Sequence, residues 1–313
     1  MEYEHFGFLL QELRKKYNMS RDKLAQNICT PKQIYRIEKG ISEPSIHILH
    51  QLSIKFNLDL NEYYKMHFTK TSISGLMGID SINAALISGD TNLLKSIIEK
   101  YENHKDFKEG ENLQHIYYGK AICSALLDNN YNMSLEYCYK GLLKEYPSFT
   151  IENISDNIYS NVGITLLNCI SQNFFALNDY NNGMKVLKGL LAVLETSALN
   201  NSFSLFLHSS EFSKKVYQVV LYNMGCHLYD QGQIEQALIY IEKGIAYSLK
   251  EYNLRHLPKL LFMKFKILYH EERYVEAREY YNYTFSLFKL TNNTTALAEL
   301  ESFTKADYSE LLT

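Results

Sequence analysis

Turn-forming residues are scarce in this chain of 313 residues: 14 Gly and 4 Pro supply too few breakpoints for a fold of many short strands. No apolar run approaches the ~18 residues of a membrane span, and the opening MEYEHFGFLL carries acids where a secretion signal begins with bases. The five cysteines, Cys29, Cys123, Cys138, Cys169 and Cys226, stand far apart with no CxxC pair. That spacing argues against a structural zinc or a dithiol centre and makes them reduced core residues. Phosphate-loop, nucleophile-elbow, zinc-protease and dinucleotide signatures are missing, and the ten His are scattered. These absences speak against an enzyme, a metal, a cofactor and the membrane. They leave a soluble, cytoplasmic, all-α protein.

What is present divides the chain in two. Its length exceeds a single-core domain, so at least two units or a repeat array are expected. The formal net charge of −3 is unevenly spread: residues 1–70 hold 11 Lys+Arg against 8 Asp+Glu, and residues 71–313 hold 21 against 27. Between Arg14 and Lys39, eight basic residues are opposed only by Asp22 and Glu38. A basic patch at one end of an acidic body is the electrostatic footprint of a DNA-reading head.

In that head, Phe6, Leu9, Leu10 and Leu13 recur at helical spacing, and Asn18 supplies a left-handed stop. Ser20 caps a second helix, RDKLAQNI, with Leu24, Ala25 and Ile28 inward and Asp22 at the positive helix start. Thr30-Pro31 opens a third helix, PKQIYRIEK, stopped by Gly40: Thr caps the free amides and Pro at the first position has none to waste. Pro44-Ser45 opens a fourth, IHILHQLSIKF, with Ile46, Leu49, Leu52 and Phe56 inward, and a fifth is expected at Leu60–Phe68. The connection Asn27–Thr30 is as short as a helix-turn-helix requires.

The segment from Phe6 to Phe56 resembles the phage-repressor (Cro/cI, or XRE) type of helix-turn-helix, through its LA pair, its RIExG run and the following Pro-Ser. The resemblance implies that the third helix enters the major groove while the second helps hold the phosphate backbone. Lys32, Gln33 and Arg36 then face base edges or phosphates, with Tyr35 beside them and Thr30 near the backbone. Arg21 stands where the family commonly places Gln. Gln can read adenine, and Arg or Lys guanine, through paired hydrogen bonds. Arg14 and Glu38 fall on positions that the family joins as a structural ion bridge.

Residues 69–79, within FTKTSISGLMGID, read as a linker between a head of residues 1–68 and a body of residues 80–313. A theme then recurs: a long amphipathic helix, a tight polar turn and a second helix. Aligned on Thr91, Tyr131, Tyr180, Ile234 and Tyr274, the turns are 40, 49, 54 and 40 residues apart. Such self-similarity predicts stacked helical hairpins like tetratricopeptide repeats, lengthened beyond their usual period. Five hairpins and a closing helix at Thr294–Leu311 are expected, forming a right-handed superhelix whose first helices line a concave groove.

The first helix of the third hairpin carries Asn161, Thr165, Asn168 and Gln172 on one stripe, and the next carries Asn223. Side-chain amides can grip an extended peptide backbone as donor and acceptor at once. Lys120 with Tyr117, and Lys264 with Lys259, occupy comparable first helices and suit a carboxylate.

The whole chain, a phage-repressor-like head on a lengthened tetratricopeptide body with YSNVG and YNMG segments, resembles the RRNPP regulators, especially the PlcR and PrgX branches. That resemblance implies a homodimer on a palindromic operator in double-stranded DNA, governed by a short signalling peptide in quorum sensing. Two other readings stay open on the residues alone. The body docks a protein partner and senses no peptide, or its groove carries out chemistry or phosphatase inhibition.

Overall fold

The computed structural model describes residues 6–61, 64, 72–199 and 211–307. Among them every regular element is a helix, and the chain divides into two compact units, Met1–Gly119 and Lys120–Thr313. No helix among the described residues is long and apolar enough to cross a membrane.

The first unit begins with α1 (Phe6–Lys16), α2 (Arg21–Ala25), α3 (Pro31–Glu38) and α4 (Ile46–Phe56). Their boundaries follow from local chemistry. Ser20 Oγ accepts from the Lys23 amide at 3.1 Å and Ser45 Oγ from that of Ile48 at 3.3 Å, each cap contributing about 1 kcal/mol. At the other ends Asn18, Asn27 and Asn57 turn left-handed with φ of 51°, 65° and 53°. Leu10, Leu24, Ile34, Leu52 and Leu60 are fully buried together. Gly7 lets α1 lie directly on the end of α3, because a Cβ there would overlap the carbonyl oxygen of Ile37. Ile46, expected inward, is 85% exposed at the first position of α4, and Ile48 takes its place in the core. Most of the fifth helix expected at Leu60–Phe68 lies outside the described residues; Leu60, Asn61 and Tyr64 are helical.

The stretch read as a linker is, from Ile73 onward, the helix α5 (Ile73–Ser88). Ser72 caps it, accepting from the Gly75 amide at 3.2 Å, and its own amide donates to Asp106 at 2.7 Å. A Cβ on Gly78 would come within 2.8 Å of the Tyr101 and Phe107 rings. The glycine that suggested a flexible segment instead makes room for aromatic packing. After α5 come α6 (Thr91–Tyr101), a 3-10 turn at Lys105–Phe107 and α7 (Gly110–Leu126), in which the units meet in sequence.

The second unit continues with α8 (Tyr131–Glu145), a 3-10 helix at Ile151–Asp156, α9 (Asn161–Ala176), α10 (Tyr180–Leu199), α11 (Glu211–Asp230), α12 (Ile234–Lys250), α13 (Leu257–His270), α14 (Tyr274–Leu290) and α15 (Thr294–Asp307). The second helices of the five hairpins begin at Thr91, Tyr131, Tyr180, Ile234 and Tyr274, the positions on which the turns align. Helices α9/α10, α11/α12 and α13/α14 pack as hairpins, and the first helices α9, α11 and α13 also touch side by side. The 3-10 helix packs on α10 with Ile154 buried against Gly189, so part of the extra length between the second and third hairpins is folded rather than looped out. The closing helix starts at Thr294 as expected, and residues beyond Asp307 lie outside the described set.

Candidate recognition helix and ligand groove

Helix α3 buries Ile34 and Ile37 and turns Lys32, Gln33, Tyr35 and Arg36 outward, with Thr30 exposed at its start. The sequence-predicted DNA residues therefore share one accessible face, apart from Arg21, which is half-buried. Arg21 Nε donates to Glu38 Oε2 at 2.7 Å, and its guanidinium lies 5.1 Å over the Tyr35 ring. Glu38, itself fully buried, also accepts from Arg14, whose Nη1 donates to the Met19 carbonyl at 2.9 Å. The expected Arg14–Glu38 bridge is thus a three-residue network. It fixes the end of α3 against α1 and α2, and Arg21 works partly as scaffold.

Gln33 has a second duty as well. Its Oε1 accepts from the Thr30 amide at 3.2 Å while Thr30 Oγ1 accepts from the Gln33 amide at 3.2 Å, a reciprocal capping box. Sequence reasoning missed Lys55, whose Nζ donates to the carbonyls of Lys23, Leu24 and Gln26 at 2.6, 3.0 and 3.2 Å. From α4 it closes the carbonyl end of α2, where cationic side chains are favourable. A lysine within an apolar helical stripe was the only signal available.

In the second unit the structure brings two of the predicted groove residues together. Asn223 Nδ2 on α11 donates to Asn168 Oδ1 on α9 at 3.1 Å. One turn on, His227 stacks on Phe175 with ring centroids 3.4 Å apart, and burial holds its imidazole below the ordinary range. Its place four residues after Asn223 could have flagged it.

The other candidates are more scattered. Asn161 is exposed at the first position of α9, and Gln172 Nε2 donates to Ser171 Oγ at 3.2 Å. Lys120 lies 5.9 Å from the Tyr137 ring centroid. Lys264 faces away from the first helices, toward second ones: its Nζ donates to Glu242 on α12 at 2.6 Å and stands 4.5 Å over Tyr280 on α14. A lysine so held is poorly placed for the groove.

The helix-turn-helix family model matches residues 10–63. No curated protein sequence matches the chain. Three solved structures share its fold over nearly the full length. PlcR of Bacillus thuringiensis, solved in complex with the peptide PapR7 and DNA, has a TM-score of 0.72 at 17% identity, covering 97% of this chain and 98% of its own. Rgg2 of Streptococcus dysgalactiae, an SHP pheromone receptor, has a TM-score of 0.60 at 18% identity over 97% and 100%. ComR from S. thermophilus, solved with DNA and its signalling peptide ComS, has a TM-score of 0.60 at 17% identity over 96% and 99%. The chain has the fold that its resemblance to the RRNPP regulators implies: a helix-turn-helix head followed by a helical-repeat body.

Proposed function

We propose that the chain is a cytoplasmic, sequence-specific DNA-binding transcription regulator controlled by a short signalling peptide held across the first helices of its body. The Asn168–Asn223 pair carries the peptide half of this reading. Two amides joined between adjacent first helices leave a donor on one side and an acceptor on the other, which matches an extended backbone. Lys32, Gln33, Tyr35 and Arg36 on α3 carry the DNA half, with Thr30 and Arg21 flanking them. A single head meets few base pairs, so two heads on a palindrome, and hence a homodimer, supply affinity and register. The peptide acts by binding one arrangement of the dimer better than another. PlcR and ComR, solved with both DNA and a peptide, are the natural parallels.

The test incubates purified protein with spent medium and lysate of its own host and identifies by mass spectrometry what is retained. A peptide of under about ten residues, kept by the wild type and lost from an Asn168→Ala/Asn223→Ala variant, supports the reading. Retention of a protein and no peptide overturns the peptide half. Selection from random duplexes tests the other half, with a palindromic consensus expected.

A further inference from the structure

Helix α2 ends abruptly. Gln26 takes extended backbone with ψ of 123° and Asn27 turns left-handed at φ 65°, so the amides that would continue the helix point elsewhere. The last carbonyls of any helix must find other donors. At this end the Asp22 carbonyl accepts from the Gln26 amide at 3.0 Å, and that of Ala25 from the Ile28 and Cys29 amides at 2.9 and 3.0 Å. The carbonyls of Lys23, Leu24 and Gln26 receive no backbone amide among the described residues. These are the three that Lys55 Nζ serves, at 2.6, 3.0 and 3.2 Å. An ammonium has three N–H donors, so the carbonyls take them all and leave none for a phosphate oxygen.

The lysine reaches this point from a fixed base. Leu52 and Phe56, beside it on α4, are buried in one core with Leu24 and Ala25 of α2. Only Asn27, Ile28 and Cys29 separate Gln26 from the Thr30 cap of α3, and the amides of Ile28 and Cys29 are fastened to Ala25. A tilt at the end of α2 therefore passes directly to the start of α3. The other end of α3 is held by Glu38 with Arg14 and Arg21.

We infer that Lys55 is a positioning residue for sequence discrimination: by holding the end of α2 it sets where α3 begins, and so where Lys32, Gln33 and Arg36 meet base edges, without touching DNA itself. The inference rests on the DNA reading above and adds a residue, outside the reading face, that governs it. Paired hydrogen bonds to a base edge need their donors and acceptors held to about 0.5 Å, whereas attraction to phosphates tolerates larger shifts. Loss of Lys55 costs discrimination and spares the non-specific part of binding.

The probe is a pair of duplexes: the consensus that the wild-type full-length protein selects from random duplexes, and a shuffled version of equal length. Their affinities are measured over a series of salt concentrations for the wild type and for Lys55→Met, which keeps the apolar stem and removes the donors, at a temperature where melting curves show both heads folded. The ratio of the two affinities should fall about tenfold in the variant, while the affinity for the shuffled duplex and the slope of log K against log salt stay at wild-type values. Lys55→Gln, which keeps two donors on one nitrogen, should lose less of the ratio, and it carries the test if Lys55→Met does not fold. A slope reduced by about one, with both duplexes weakened alike, makes Lys55 a phosphate contact and overturns the inference. A head that melts earlier yet keeps the wild-type ratio makes Lys55 a helix cap and nothing more, which also overturns it. A wild type that selects no consensus overturns the DNA reading itself, a result that no behaviour of the variants can imitate.

Discussion

The side-chain amide of Asn223 donates to Oδ1 of Asn168 across 3.1 Å, tying the first helix of one hairpin to that of the next. The pair uses one acceptor and one donor, so the Asn168 NH2 and the Asn223 carbonyl oxygen can present the two halves of a peptide bond to a ligand.

Asn168→Asp separates the two roles of that residue. The carboxylate still accepts from Asn223, so the melting curve should move by less than ~1 kcal/mol, while the lost NH2 should weaken peptide retention about tenfold. Asn223→Ala removes the bond and the ligand acceptor together and should lose both. Undiminished retention by Asn168→Asp would place the peptide on other groups.

On the proposed reading Gln33 divides its amide between the Thr30 cap and DNA. Gln33→Glu keeps the acceptor for the Thr30 amide, and a carboxylate in the first helical turn suits the helix dipole, so thermal stability should hold. The same charge facing phosphates should weaken binding to all duplexes. Arg36→Ala should instead relax preference at one base pair by roughly 1–3 kcal/mol, read by competition between duplex variants. An unchanged footprint for both variants would remove α3 from the groove.

Glu38 is the buried anion of the head. Glu38→Ala leaves Arg14, only 13% exposed in its side chain, and Arg21 without their partner, and breaking such a buried pair costs about 3–5 kcal/mol. Urea unfolding followed by the head's helical signal should show that loss while the body's transition stays in place. A head as stable as the wild type would mean that the two arginines find water or other acceptors.

His115 on α7 is buried with no partner for Nδ1, and burial pushes its pKa down to about 4. The unfolded chain takes up that proton near pH 6.5, so between those values the unfolded state binds more protons and stability falls as pH drops. The loss is about 3 kcal/mol by pH 4, with no effect above about pH 7. His256, also held to about 4 by burial and by the Arg255 and Lys259 charges, adds a smaller decline in the same window. Urea midpoints of His115→Leu at pH 7 and pH 4.5 should differ by half the wild-type amount or less. An unaltered acid limb would assign the proton uptake elsewhere.

The capped starts at Ser20, Thr30 and Ser45 and the five turns were legible because each depends on residues within a few positions of one another. The start of α5 was not. Gly75 and Gly78 among serines carry the composition of a loop, and only the rings of Tyr101 and Phe107, distant in sequence, turn Gly78 into a packing residue. Facing was the other difficulty. In α13, Leu257, Leu260, Leu261, Met263, Phe265 and Leu268 are all buried, so an apolar stripe cannot tell which lysine faces α11. Lys264 and Lys266 differ by about 200° around the helix, and their partners alone distinguish them. Ile46 was misplaced for a simpler reason: at the first position of a helix, periodicity has no preceding turn to constrain it.

If the proposed function holds, the reciprocal bonds of Thr30 and Gln33 also bear on how such a regulator can acquire new targets. A residue at position 33 must reach back to the cap to keep the helix start intact, so drift there is confined to Gln and Glu, and Glu is repelled by the operator. Lys32, Tyr35 and Arg36 carry no such obligation to the cap. Divergence toward a different operator would therefore be written at those three positions, with Gln33 the slowest letter to change.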